Sequence, residues 1–141
     1  MLPDVDVIGF AFGIRYGDML GHRGLSHSFL FAAVAGVAAA VMYGGSKERD
    51  PPYVRLAAYF AAVIASHPLL DAATDGGLGV ALFAPFTAER YFLPWQPIAV
   101  SPIGPSFFSA RGLDVLISEA QWIWAPSLMV IMTVGVARKS R

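Results

Sequence analysis

The sequence contains no cysteine, which excludes disulfides and thiolate metal ligands and leaves the redox character of its compartment unread. Charge is scarce: 14% of its 141 residues are Asp, Glu, Lys or Arg, where a soluble domain has about a quarter. Ten basic and ten acidic residues cancel, so there is no basic face for nucleic acid and no acidic tail. Near the start, Asp4 and Asp6 stand where a cleavable signal peptide would carry basic residues before an apolar core, which argues against one. No internal repeat or low-complexity tract stands out. With 56% hydrophobic residues, the composition points to lipid, and the length suits one domain covering residues 1–141.

Charge-free runs set the organisation. Ser28 to Gly45 is eighteen residues without a charge, about 27 Å as a helix against a hydrocarbon thickness of roughly 30 Å. After the polar turn SKERDPP, Tyr53 to Leu70 is a second span with Arg55 near one end and His67 near the other. Trp122 to Ala137 is a third, extensible back to Leu116 if Glu119 is included, with Pro126 as an expected kink. Leu78 to Phe86 is too short to cross and reads as a re-entrant or interfacial piece, and the aromatic and proline-rich stretch from Phe83 to Phe108 has headgroup-level character. The expected fold is therefore all-α, a multi-pass transmembrane protein of about three spans. Placing Lys47, Arg49, Arg55, Arg138, Lys139 and Arg141 on the cytoplasmic side satisfies the positive-inside tendency, and puts residues 1–27 and the segment after Leu70 on the outer face.

Polar residues gather on that face. His22 and His27 precede the first span, and His67 and Asp71 close the second, so an antiparallel hairpin returns all four to one membrane surface. His67 and Asp71 share a helical face at four residues' spacing. His22 and His27, five apart, do not; Gly21 and Gly24 suggest a turn in which both imidazoles point inward, with Ser28 capping the next helix. Asp4 and Asp6 in LPDVD add two carboxylates, unless that segment is a turn with an Asp N-cap. Imidazole and carboxylate without sulfur suit Zn²⁺ first, and also Mn²⁺ or Fe²⁺, and such an ion lowers the pKa of its water toward ~7. Against this stands the plainer reading of each histidine as an interfacial residue. Arg23 would stabilise developing negative charge, or snorkel to headgroups. Asp75 reads as structural, TDGGLG as a turn lacking the Gly-Lys-Ser/Thr of a phosphate loop, Glu89 and Arg90 as an exposed pair, and Glu119 as an interfacial residue.

LPDVD, GHRGLSHS and HPLLDAATDGG, in that order and separated by one apolar span, resemble the YdjM-like family of inner-membrane-associated metal-dependent hydrolases. The family pattern is LPD-x-D, HRG-x-T/S-HS and H-x-x-L-D-x-x-T. The likeness continues through GLGVALFAPFTAERYFLPWQPIAVSPIG and covers roughly Leu2 to Phe108. It implies an inner-membrane protein that uses a metal to hydrolyse an ester or phosphoester, with Asp4, Asp6, His22, His27, His67 and Asp71 as ligands; Arg23, from the reading of the residues themselves, is the catalytic candidate. Membrane lipids are the expected partners, with the small-molecule or lipid substrate unnamed. Family members usually begin with an apolar helix carrying a Thr-His pair ahead of LPD, whereas this sequence opens at LPD, so either a preceding helix with a further ligand is missing from it or the form is truncated. The competing function is a membrane protein that binds or transports a metal ion without catalysis.

Overall fold

The computed structural model describes residues 2–43 and 53–139. Among them there is no β-strand, only two isolated bridge pairs, so the chain is all-α as its charge-free runs predict. It divides into two compact units: Met1–Ala72 with Leu78–Leu93, and Ala73–Gly77 with Pro94–Arg141. Two helices, Tyr53–Ala72 and Ala110–Lys139, are long and apolar enough to cross a membrane, and Phe29–Tyr43 is a shorter apolar one, in keeping with about three spans.

The first unit is built on the hairpin of α1 (Phe29–Tyr43) and α2 (Tyr53–Ala72). Ser28 starts α1: its backbone is extended and its Oγ accepts the Phe31 N–H at 3.0 Å, satisfying one of the helix's unpaired donors. Along α1 the buried residues are Ala32, Gly36 and Ala40, one helical turn apart. A Cβ on Gly36 would lie 2.5 Å from the Ala61 backbone nitrogen, so α2 passes where only glycine leaves room. Val34, Val37 and Val41 stay more than half exposed on the other side of α1, as a lipid-facing surface requires. The last two residues of the expected first span, Gly44 and Gly45, lie outside the described residues, as does the turn with Lys47 and Arg49. The second span runs two residues past Leu70, which keeps Asp71 on the helix.

Ahead of the hairpin, Pro3–Phe12 is a 3₁₀ helix ended by Gly13 in the left-handed region, with Asp4 and Asp6 in its first turn and no side-chain cap. The apolar run Leu78–Phe86 forms no re-entrant helix. Val80 exchanges both backbone hydrogen bonds with Tyr91, the Ala81 N–H reaches the Arg23 carbonyl at 2.9 Å, and the Leu82 carbonyl accepts the Phe29 N–H at 2.9 Å. Val80 and Leu82 pack on Ala72 with Phe29 and Tyr91 beside them. Gly79 at φ +77 and Pro85 break helix periodicity here, so the run is a strap over the start of α1.

In the second unit Asp75 is structural: its Oδ1 accepts the Val100 N–H at 2.7 Å and faces Arg111 at 3.6 Å. The TDGGLG turn therefore opens by pairing with chain, with Asp75 N–H on the Ile98 carbonyl at 2.9 Å. The third apolar helix starts earlier than its charge-free portion, at Ala110. It runs as α3 (Ala110–Glu119), a π turn over Ala120–Trp124, and α4 (Ala125–Lys139). Pro126 has no N–H for the Trp122 carbonyl and its ring would crowd it, and the wider π turn directly ahead of the proline accommodates this.

Gly36→Leu is expected to lower the unfolding midpoint of the detergent-solubilised protein by the equivalent of about 1–3 kcal/mol or more. Ala33→Leu, on the exposed side of α1, should leave it within about 0.5 kcal/mol; equal losses in thermal unfolding would contradict the close packing.

Candidate metal centre

Three local structures supply the site. The 3₁₀ helix brings Asp4 and Asp6, the short 3₁₀ turn Leu25–His27 brings His27, and the last turn of α2 brings His67 and Asp71. The loop between them is fixed by close approach: a Cβ on Gly21 would sit 2.1 Å from the Arg15 carbonyl oxygen, and one on Gly24 2.2 Å from that of Met19. Between these glycines Arg23 is held at φ 62, a conformation a non-glycine residue adopts only when its surroundings require it.

His27 is fully buried and has carboxylates on both sides of its ring. Its Nδ1 lies 3.0 Å from Asp6 Oδ2 and 3.0 Å from Ser26 Oγ. The carboxylate can only accept, so Nδ1 carries a hydrogen and Nε2 is the nitrogen left facing the other way. Nε2 has no hydrogen-bond partner among the described residues. It stands 3.5 Å from Asp4 Oδ1 and 3.3 Å from Asp71 Oδ2. His67 Nε2 faces the same two oxygens, at 3.1 Å and 3.5 Å. Asp4, His27, His67 and Asp71 thus offer four donor atoms, all within 4.8 Å of one another.

A second group, Asp6, His22 and His27, lies on the Nδ1 side. His22 Nδ1 is 2.8 Å from Asp6 Oδ1. Asp6 Oδ2 also accepts the Arg23 backbone N–H at 3.2 Å and the Ser26 hydroxyl at 2.5 Å, so the carboxylate is enclosed by donors. Asp71 is divided in the same way: Oδ1 accepts from Arg23 Nη2 at 3.1 Å while Oδ2 faces the histidines. The Arg23 side chain is only 5% exposed, which places it beneath the site and away from headgroups. Asp4, a third exposed, forms the accessible edge.

Charge follows geometry. Burial disfavours the His27 imidazolium, but the facing carboxylates of Asp4, Asp6 and Asp71 outweigh it and hold its pKa up at about 10. Burial raises the Asp4 and Asp6 carboxyls, yet the histidines beside them win and keep both well below the usual carboxylate range. The three carboxylates are thus balanced in part by the His27 imidazolium and the Arg23 guanidinium.

A profile of the YdjM inner membrane protein family matches residues 1–141. The chain belongs to that family. It is 39% identical over 132 residues to the inner membrane protein YbcI of Escherichia coli (strain K12), an alignment covering 93% of this chain and 75% of YbcI. No solved structure matches it significantly. Membership of the YdjM family places the chain in the inner membrane, and neither name describes an activity.

All six residues expected as ligands of this YdjM-family chain meet in the first unit, divided between two groups that share His27. Two contributors were not singled out by the sequence. Ser26, inside the GHRGLSHS motif, bridges Asp6 and His27. Arg90 is not the exposed partner of Glu89: its guanidinium donates to the carbonyls of Tyr16, Asp18, His22, Arg23 and Gly79 at 3.1–3.4 Å. Glu89 instead accepts the Tyr91 hydroxyl at 2.7 Å.

Arg90→Ala leaves those carbonyls without their donor and is expected to cost at least ~2 kcal/mol in unfolding, with Arg90→Lys recovering part and Glu89→Ala nearly neutral. In EDTA-stripped protein, the His27 contribution should be complete below its unfolded value of 6.5 and fade as pH rises toward about 10. The Asp4 and Asp6 contributions should be complete above 3.8 and fade below it. Unfolding midpoints scanned against pH should therefore peak between about 4 and 6.5; a maximum above pH 8 would contradict the network.

Proposed function

We propose that this chain is a membrane-embedded metal-dependent hydrolase of an ester or phosphoester, with one divalent ion held by Asp4, His27, His67 and Asp71. The observation that carries the reading is the spacing of the four donor atoms. Donors about 2.0–2.1 Å from one tetrahedral ion stand about 3.3 Å from one another, and the histidine–carboxylate distances here are 3.1, 3.3, 3.5 and 3.5 Å. The buried, unsatisfied Nε2 of His27 is the atom such an ion would satisfy. Two nitrogens and two oxygens without sulfur favour Zn²⁺, with Mn²⁺ or Fe²⁺ as alternatives. The ion would supply Lewis acidity, acidifying water and polarising the oxygen of an ester or phosphoester.

The protein's own groups do the positioning. Asp6 accepts from Nδ1 of His27 and fixes the ring so that Nε2 faces the site, an arrangement characteristic of metal-ligating histidines. His22, Ser26 and the Arg23 N–H occupy the remaining capacity of Asp6, which favours one ion over two. Arg23 donates to one oxygen of Asp71, whose other oxygen faces His27 and His67. Its contact with Asp71 makes it a positioning residue in this reading.

The site lies where α1 begins and α2 ends, while Arg55 and the sequence positions of Lys47 and Arg49 belong to the opposite end of the hairpin. The positive-inside tendency then puts the site on the outer face of a multi-pass protein, in reach of membrane lipids.

Elemental analysis of detergent-purified protein is expected to find about one divalent ion per chain. His27→Ala and His67→Ala should lose it, and Asp6→Asn should weaken it on the order of 10–100-fold. Ester or phosphoester turnover should disappear with the ion and return on its addition. Retention of the metal by both histidine variants would refute the site, and a bound ion with no turnover would leave the non-catalytic carrier.

A further inference from the structure

Beside the site the first unit contains a pocket of about 330 Å³ that the proposed hydrolysis does not by itself require. Its walls are apolar: Leu20, Leu25 and Phe31, with Leu2 and, from the 3₁₀ helix, Pro3 and Val5. Its polar lining comes from Asp6 and Ser26. Both sit 3.0 Å from His27 Nδ1, so one imidazole ring separates the pocket from the atom that faces the candidate ion.

We propose that this pocket receives the alkyl chain of the substrate, so that the substrate class is a long-chain ester or phosphoester drawn from the bilayer. The inference rests on the hydrolase reading and adds the identity of the group beside the scissile bond. Three observations select an alkyl chain over a polar ligand or a peptide. The volume matches on the order of ten groups of methylene size, taking each near a water's ~30 Å³. The carboxylate of Asp6 is already enclosed by His22, Arg23, Ser26 and His27, so the lining offers no open charge to a polar ligand. Phe31 lines the pocket from the first turn of α1, where its neighbours Leu30 and Val34 are exposed, so an exposed apolar surface of α1 lies beside the pocket.

The test uses the full chain in detergent micelles and two readouts. The first is photolabelling with a long-chain alkyl phosphate carrying a diazirine in its tail, mapped by peptide mass spectrometry. Adducts should concentrate on Leu20, Leu25 and Phe31, be competed by the unlabelled alkyl phosphate, and fall in Leu25→Trp, which fills the pocket. Adducts spread evenly over lipid-facing residues such as Val37 and Leu128, or pocket residues joined instead to a second copy or another polypeptide segment, would overturn the proposal. The second readout is turnover of p-nitrophenyl esters and alkyl p-nitrophenyl phosphates of increasing chain length. Here kcat/KM should rise by up to about fourfold per methylene until the pocket is full. Leu25→Trp should remove at least ~tenfold of the long-chain preference, read as the ratio of long-chain to acetyl kcat/KM, which a general loss of activity would not move. Turnover independent of chain length would overturn the pocket assignment and leave the hydrolase reading standing. Competed labelling in the pocket with no turnover of any ester would support the alkyl site and count against hydrolysis.

Discussion

A single imidazole with carboxylates on both faces is the constraint around which the first unit is arranged. His27 is fully buried, yet Asp6 lies against one nitrogen and Asp4 and Asp71 approach the other. Three carboxylates around one buried ring form an assembly that an apolar chain has no reason to keep for stability alone, because replacing buried ionic groups by packed hydrophobic ones is often neutral or favourable. Each element of the unit contributes to holding it. The small-residue stripe of α1 lets α2 approach closely enough to deliver His67 and Asp71. Gly21 and Gly24 let the loop fold on itself, and Arg90 ties five of its surrounding carbonyls together.

The two nitrogens of His27 have different company, and this separates the roles of the six titratable residues. On the Nδ1 side, Asp6 is surrounded by donors and serves as an anchor. On the Nε2 side the carboxylate oxygens of Asp4 and Asp71 meet two imidazole nitrogens: His67 hydrogen-bonds Asp4 at 3.1 Å, and the other three pairs stand at 3.3–3.5 Å. Arg23 belongs with the anchors: its strained backbone and buried guanidinium place a positive charge behind Asp71 and turn one oxygen of that carboxylate outward. The YdjM-family assignment fixes the compartment, the inner membrane, and the chemistry is argued from this division of donors.

Much of this was legible in the sequence. Charge-free length exposed the spans, and the four-residue spacing of His67 and Asp71 on a helix put them on one face. The glycines of GHRGLSHS pointed to a turn, and the structure shows why only glycine fits there. What could not be read depends on contacts with no sequence period. Arg90 acts on backbone carbonyls of the Tyr16–Arg23 loop and of Gly79, and a carbonyl is present at every residue. Ser26 differs from any other serine only because a 3₁₀ turn aims it at Asp6 and His27. The run Leu78–Phe86 is a strap over the start of α1 in which Val80, Ala81, Leu82 and Ala84 are buried while Leu78, Phe83 and Phe86 stay exposed. The third helix begins at Ala110 because backbone hydrogen bonding continues through Asp114 and Glu119, where a count of apolar residues stops.

The central claim is that the Nε2 atoms of His27 and His67 and one oxygen each of Asp4 and Asp71 surround a single ion. X-ray absorption at the edge of whichever metal copurifies with the full chain tests it most directly. The expected spectrum shows a shell of nitrogen and oxygen only, at about 2.0–2.1 Å for zinc, with the multiple-scattering signature of about two imidazoles. A shell without imidazole scattering, or protein that carries no transition metal when prepared without chelator, would contradict it.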